Sequence, residues 1–343
     1  MKTTLLALVA MAGLLAVPSA QAQDGGDPRS GTAAMEQLLV PVTARTISLG
    51  SAFTASLADA NAVEASQSNP AAITTNQSTA LLFSRTQYFA DTGINFAGVA
   101  QTFGANSVAL TLTSWDWGNM IRTTVDAPEN GSLTWTASTV IIGGTYARQL
   151  TDRIAAGVTL KGLSETIDQS SAQGIAFDAG ITYAVPESGL RFGVALKNFG
   201  NAMSFSGGGL NRPLPTTGPG GTGEIAGGII ASEGELPSLL SFGASYNRQF
   251  AGDLSATVLA NYRSNSYDMD QFAAGVEIGY ANLLYVRGGL DLTTEPSMRA
   301  QEIYNLGAGL NLPLGTSRLN IDYAFQPASF LGSINMFTLG FNL

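Results

Sequence analysis

The chain has 343 residues, 45% of them hydrophobic and only 12% charged, with 40 glycines, no cysteine and no histidine. An average soluble domain is about 25% charged, and beyond the N-terminus no run approaches the ~18 apolar residues of a spanning helix. That combination leaves a transmembrane β-barrel, the other architecture that satisfies its own backbone in lipid. The missing histidine excludes a Ser-His-Asp or Cys-His nucleophilic machine and any His-ligated metal site. The missing cysteine removes disulfides and thiolate chemistry. A formal net charge of −9 without a basic cluster excludes nucleic-acid binding through phosphate neutralisation. Neither a catalytic activity nor a metal or cofactor is expected.

Residues 1–22 read as a signal peptide. Lys2 supplies the positive start, Leu5 to Val17 the apolar stretch, and Ala20-Gln21-Ala22 the small-residue cleavage site. The mature chain is therefore expected to begin at Gln23, in the bacterial envelope. Residues 23–78 lack strand alternation and are rich in Ala, Ser and Thr. A barrel of fourteen strands is wide enough to need filling. The apolar content of 35–42 and 53–57 points to a hatch or plug inside the lumen.

Residues 79–343 read as the barrel. Apolar residues alternate with small or polar ones at period two, the strand signature. About fourteen strands are predicted, starting near 79, 93, 106, 138, 153, 173, 189, 236, 253, 269, 283, 302, 316 and 332, most of them long enough to cross a bilayer at a tilt. Short links (104–105, 151–152, 186–188, 251–252, 282, 314–315) alternate with longer ones (118–137, 167–172, 200–235, 265–268, 294–301, 327–331), 91–92 being the exception. Outer-membrane barrels sort their links in this way, short toward the periplasm and long toward the outside. The predicted fold is thus an all-β, antiparallel up-and-down barrel in the outer membrane, with lipid and lipopolysaccharide as its surroundings.

The two strand faces differ in chemistry. Val158, Leu160, Phe272, Val276, Ile278, Tyr304 and Leu306 belong to a face expected to meet lipid, and Gly157, Gly275, Asn305 and Gly307 to a lumen face. Tyr88, Trp115, Trp117, Trp135, Tyr146, Tyr262, Tyr280 and Tyr323 sit near strand ends, where rings suit interfacial girdles. The lumen face also carries Arg153, Lys161, Asp178, Arg191, Lys197, Arg263, Glu277, Arg287, Asp291, Arg318 and Asp322. Charges there must be paired or wet, and a network clamping the plug is the expected role. The 200–235 link is rich in Gly and Pro and is expected to have little structure of its own. Its Ile225, Ile229 and Ile230 make it a candidate partner-docking loop outside the cell. The chain ends Phe337-Thr338-Leu339-Gly340-Phe341-Asn342-Leu343. Phe337, Leu339, Phe341 and Leu343 there resemble the C-terminal signal read by the barrel assembly machinery.

The run Ala44-Arg45…Leu49-Gly50…Ala58-Asp59-Ala60-Asn61-Ala62…Asn69-Pro70-Ala71 resembles the N-terminal signature of the PorV/PorQ group of outer-membrane proteins. The likeness continues through Ser114-Trp115-Asp116-Trp117-Gly118, Leu196-Lys197-Asn198-Phe199-Gly200 and Leu310-Asn311-Leu312-Pro313-Leu314-Gly315. Ser68 stands where that group usually has an aromatic. The resemblance implies a FadL-like barrel whose hatch motif is Asp59, Asn61, Asn69, Pro70 and Ala71. It implies either a type IX secretion adapter, whose partners are a translocon and cargo C-terminal domains, or a passive channel for long-chain fatty acids and other hydrophobic compounds. A polar lumen face and an Ala/Ser/Thr-rich plug are read as favouring the adapter.

Overall fold

The computed structural model describes residues 31–343 except 76–78, 91, 124–127, 129–132, 219–220, 251, 294–302 and 329–331. The signal peptide and the expected start at Gln23 lie outside the described residues. Fourteen strands close into one antiparallel barrel: β1 Ala80–Gln87, β2 Gly93–Phe103, β3 Asn106–Ile121, β4 Thr134–Gln149, β5 Ile154–Ile167, β6 Ser170–Ala184, β7 Leu190–Gly200, β8 Leu239–Gln249, β9 Leu254–Asn265, β10 Gln271–Tyr280, β11 Leu284–Thr293, β12 Ile303–Leu314, β13 Ser317–Ala328 and β14 Gly332–Asn342. Each pairs with its sequence neighbours, and β1 pairs with β14 from Ala80↔Asn342 to Gln87↔Asn335, which closes the ring. Closure leaves the barrel wall without a free edge, as a lipid environment requires.

The period-two pattern has the predicted consequence. On β10, Phe272, Val276, Ile278 and Tyr280 are exposed outward while Ala273, Gly275 and Glu277 are buried inward. Comparable bands of exposed large apolar residues recur on β3, β5, β6, β11 and β12, for example Leu110, Val158, Phe177, Val286 and Leu306. This outward apolar band is the lipid-facing surface. Phe337, Phe341 and Leu343 belong to it, and Leu339 shares their face.

Three sequence readings need correction. Ile167 pairs directly with Ser170, so β5 and β6 are joined by a tight two-residue turn at Asp168-Gln169 rather than a long link across 167–172. Asp168 adopts φ 52° there, a conformation Asp tolerates better than most residues. The 200–235 link is also more ordered than its composition suggests. Asn211–Gly218 and Gly221–Gly228 form a two-stranded ribbon, Met203 bridges Gly234, and Ser206–Gly207 pairs with the start of β6. Finally, Trp115 is buried inward, where it stacks on Trp117 at 5.3 Å and meets the edge of Tyr88 at 5.5 Å. These rings therefore do not form an interfacial girdle. Trp115 turns inward by the same alternation that buries Ala109 and Thr113 and exposes Leu110 and Leu112, and the rings pack toward Val42, Val63 and Ile73 of the N-terminal segment; the bulge between Asp116 and Asn119, with Gly118 at φ 74°, follows it.

Residues 42–73 are buried almost throughout. They include two short helices, α1 Ala44–Ser48 and α2 Ala62–Ser68, and contact strands around most of the ring. Asn61 caps α2 by accepting from the Val63 amide at 3.0 Å. Inward-facing glycines on β5, β6, β7, β8, β10, β11 and β12 make the packing possible. They are Gly157, Gly180, Gly193, Gly243, Gly275, Gly289 and Gly307, and a Cβ on any of them would come within 2.0–2.7 Å of segment atoms between Ser48 and Ala71. The closest backbone approach is Gly289, whose Cβ would sit 2.1 Å from the Gly50 nitrogen.

Val276 lies mid-strand on the outer face. Val276→Arg is predicted to destabilise the barrel by roughly 2–4 kcal/mol in a reversible unfolding titration in lipid, the cost of a cation at the bilayer midplane. An effect near zero would overturn the assignment of that face to lipid.

Candidate functional site

The interior divides into an apolar sector and two charged clusters, so the lumen is not uniformly polar as the sequence suggested. Along β1–β4, Leu82, Ile94, Phe96, Ala109 and Trp115 pack with Val42, Val63 and Ile73 of the N-terminal segment. The segment also has a small core of its own, in which Leu49, Phe53 and Leu57 meet Leu259 and Ala273 of the wall.

The first charged cluster joins the segment to β10, β11 and β13. Arg45, on α1, donates from Nε and Nη2 to the two oxygens of Glu277 at 2.9 and 2.8 Å, and from Nη2 to Asp59 at 3.0 Å. Arg287, directly across the ladder from Glu277, donates to the same carboxylate at 2.6 Å and to Asp322. Both guanidiniums are nearly fully buried, so the fork geometry and shared carboxylate offset a large desolvation cost. Burial pushes the Glu64 carboxyl, on α2 beside this cluster, up to about 7.

The second cluster lies on β5–β7, β9 and β11. Lys161 pairs with Asp178 at 2.6 Å and donates to Asn198 at 2.8 Å; Arg263 pairs with Asp291. A bulge sets Lys197 and Asn198 opposite Asp178 alone, so two consecutive residues turn inward between outward Leu196 and Phe199. Asn198 takes φ 59° and its amide donates to Asp178 at 2.8 Å. The structure therefore splits the single network expected from sequence. Arg287 and Asp291, on one strand, belong to different clusters. Arg153 and Arg318 are exposed and belong to neither, and Arg191 lines a separate recess.

Of the motif residues, Asp59 pairs with Arg45 within the segment, and the other four meet the wall, chiefly at its backbone. The Asn61 side chain donates to the Leu81 carbonyl at 3.1 Å. That of Asn69 donates to the carbonyls of Thr54, Ile181 and Val194 at 3.0, 3.2 and 3.4 Å, while Pro70 and Ala71 lie against Gly157. Two cavities flank this contact. One, about 90 Å³, lies between residues 37–43 and the wall, toward the end bearing the long links. The other, about 170 Å³, lies at the short-link end beside Arg153, Arg191 and Thr74. Ile225, Ile229 and Ile230 are exposed on or beside the ribbon, Ile230 almost completely.

Sequence reasoning missed Arg45 and Glu64, because neither sits in a strand pattern, and Asn198 and Asn261, because an inward Asn carries no distinctive spacing. Arg45 and Asn198 each stood in a quoted motif, and that was the available signal.

The fold is shared with solved outer-membrane proteins. CymD, a monoaromatic hydrocarbon channel, superposes with a TM-score of 0.59 at 13% identity, covering 89% of this chain and 97% of its own. The toluene transporter TodX of Pseudomonas putida gives 0.50 at 10% identity, over 80% of this chain and 91% of its own. The chain has the FadL-like barrel fold. With the apolar outer band, that fold places the protein in the bacterial outer membrane. No family model matches the chain, and no curated protein matches it.

Two predictions concern the first cluster. Arg45→Met leaves Glu277 sharing one guanidinium and should cost about 3–5 kcal/mol at the segment–wall contact; faster proteolysis within residues 31–75, with the barrel still heat-modifiable on gels, is the expected sign. Glu64 titrates higher in the folded protein than in an unfolded chain, so the folded state binds the extra proton and its advantage falls as pH rises through about 7. Proteolysis of the segment should therefore quicken between pH 6 and 8, and Glu64→Gln should flatten that dependence. A pH-independent wild type would contradict it.

Proposed function

We propose that the protein is a passive outer-membrane channel for hydrophobic compounds, with the N-terminal segment as its hatch. The observation that carries this reading is the pair of cavities on either side of the Asn69-Pro70-Ala71 contact. The cavity at the long-link end is bounded by Leu38, Leu39, Val40, Pro41 and Val42, whose side of the lumen adjoins the Trp115–Trp117 stack. A solute entering at the long-link end meets an apolar wall, and displacement of the Asn69 side chain from β6 and β7 would join the two cavities. The long-link end is taken as extracellular on the parity of link lengths. CymD and TodX, which share the fold, are named as channels for monoaromatic hydrocarbon and toluene, and that supports an apolar solute.

A PorV-type secretion adapter is the second reading. What favours it, besides the sequence resemblance, is the ribbon with Leu214, Ile225 and Ile229 exposed and Ile230 beside them. An apolar protrusion of that kind fits a docking surface.

The two readings separate in a strain lacking the chromosomal copy. Expressing the intact chain should raise uptake of labelled toluene severalfold over the empty vector, and Ser68→Trp, which fills the cavity at the long-link end, should abolish the increase. Shortening 207–223 should spare secretion on the channel reading. Uptake equal to the vector, together with loss of secretion in the shortened protein, would reverse the preference.

A further inference from the structure

We propose that the outer face of β1–β3 holds one phosphate-bearing lipid of the outer leaflet, with its phosphate on Arg85 and an acyl chain in the apolar hollow beside it. The site lies on the lipid side of the wall, outside the lumen, and stands whichever of the two readings above is right.

Arg85 is the odd member of its face. The outward residues of β1 are Leu81, Phe83, Arg85 and Gln87, and Phe337 lies across the ladder from Arg85 on β14. No carboxylate stands at ion-pair distance from Arg85 among the described residues. A cation bordered by apolar side chains on a lipid-facing wall is costly, and a long side chain there ordinarily snorkels out to water. This one is held flat on the wall instead. Its Nη1 donates to Asn95 Oδ1 on β2 at 2.7 Å, and the guanidinium lies over Gly93, where a Cβ would meet Nη2 at 3.0 Å. The bond to Asn95 uses one of the five N–H groups, and the remaining fork suits two phosphate oxygens.

A second observation concerns shape. One rung toward the short-link end, Ala97 stands between Phe83 and Leu112 on the neighbouring strands. Its small side chain leaves an open hollow of about 710 Å³, walled also by Val99, Leu110 and Leu339 and lined by no charged residue. One rung toward the long-link end, the outward residues turn polar: Asn335, Gln87, Asp116 and Ser138. Asp116 is engaged there by the Gly118 amide at 3.0 Å. The hollow therefore ends at a cation where the face changes from apolar to polar, as a chain ends at its headgroup. Parity of link lengths puts that end in the outer leaflet. A neutral lipid would fill the hollow and leave the guanidinium unpaired, and free phosphate would do the reverse. A phosphate carrying an acyl chain satisfies both.

The full mature chain in nanodiscs of dioleoyl phosphatidylcholine, doped with dioleoyl phosphatidic acid, tests this by native mass spectrometry. One phosphatidic acid per barrel should be retained, about tenfold over phosphatidylcholine at equal mole fraction. Dioleoylglycerol and inorganic phosphate, each offering half of the chemistry, should be retained no better than phosphatidylcholine. Arg85→Gln should remove the preference. Gly93→Val, which leaves every charge in place but lifts the guanidinium from the wall, should reduce it severalfold. Ala97→Phe should lower retention by filling the hollow, and Arg148→Gln, at another outward arginine, should change nothing. Because the variants are compared as heat-modifiable barrels, a folding defect is visible separately. A preference that survives Arg85→Gln would overturn the proposal, as would equal losses from Arg85→Gln and Arg148→Gln or retention of inorganic phosphate as strong as that of the lipid. The chain has no cysteine, so Ala97→Cys gives a clean check on the other occupant: a disulfide-linked dimer in native outer membranes would assign the hollow to a second copy and defeat the lipid site.

Discussion

The rest of the structure depends on one contact: backbone of the N-terminal segment lying directly on glycines of the barrel wall. A fourteen-strand ring encloses more space than inward side chains can fill, and unfilled apolar space forfeits dispersion contacts. The chain meets this by removing Cβ atoms from seven inner positions between β5 and β12 and laying Ser48 to Ala71 in the groove that results. Register aligns the belt across neighbouring strands: Gly157 faces Gly180, Gly193 faces Gly243, and Gly275 faces Gly289. The segment is then interior to the fold rather than an appendage, and its own polar backbone needs partners from the wall. Thr338 accepts from the Ala44 amide at 2.9 Å and Ser245 donates to the Ser56 carbonyl at 3.0 Å, while the Asn61 and Asn69 side chains reach strand carbonyls in return.

That packing also sets the electrostatics. Arg45 enters the lumen because α1 does, and Glu277 with Asp322 lets two guanidiniums stay ionised there. The β10–β13 side is held by charge, the β1–β4 side by Ile94, Phe96, Trp115 and Val63, and the β5–β8 side chiefly by backbone approach and the Asn69 amide. These three attachments differ in reversibility. Apolar burial and a shared carboxylate resist partial opening, whereas one amide bridging two carbonyls at 3.2 and 3.4 Å is the weakest of the three. The two cavities adjoin that third side.

How much of this was legible in the sequence follows from which interactions are local. Strand positions follow from alternation, a property of neighbouring residues, and β2, β3 and β14 begin at the predicted 93, 106 and 332. Face chemistry followed in the same way, so Val276 and Glu277 were separated correctly. Alternation fails at bulges, where two residues oppose one. The sequence reading passed Lys197 as an ordinary inward residue and missed Asn198 beside it. Trp115 and Trp117 were placed at the interface for a different reason, their nearness to a strand end, although alternation with outward Leu110 and Leu112 turns Trp115 inward. Pairing of charges is set by ladder register and by the segment, neither of which sequence spacing encodes. Arg287 thus meets Glu277 and Asp322 across strands, whereas Asp291, four residues away on its own strand, serves Arg263.

The bulge on β7 shows how a local irregularity becomes a functional geometry. Without it, one of Lys197 and Asn198 would point into lipid, because successive side chains alternate faces. With it, Asp178 receives both the Asn198 amide and the Lys161 ammonium. Its charge is spent on those partners, and the neighbouring Lys197 keeps its ammonium toward the cavity with only a carbonyl to accept from it. Asn is suited to the position because it tolerates φ 59° and because its side chain closes the loop, accepting from Lys161 and donating to the Pro237 carbonyl. A wall of regular strands could place one cation per strand in the lumen at this level. The bulge lets β7 supply a cation and the amide that occupies its neighbour's counter-ion, which is how Lys197 comes to have no carboxylate at ion-pair distance among the described residues.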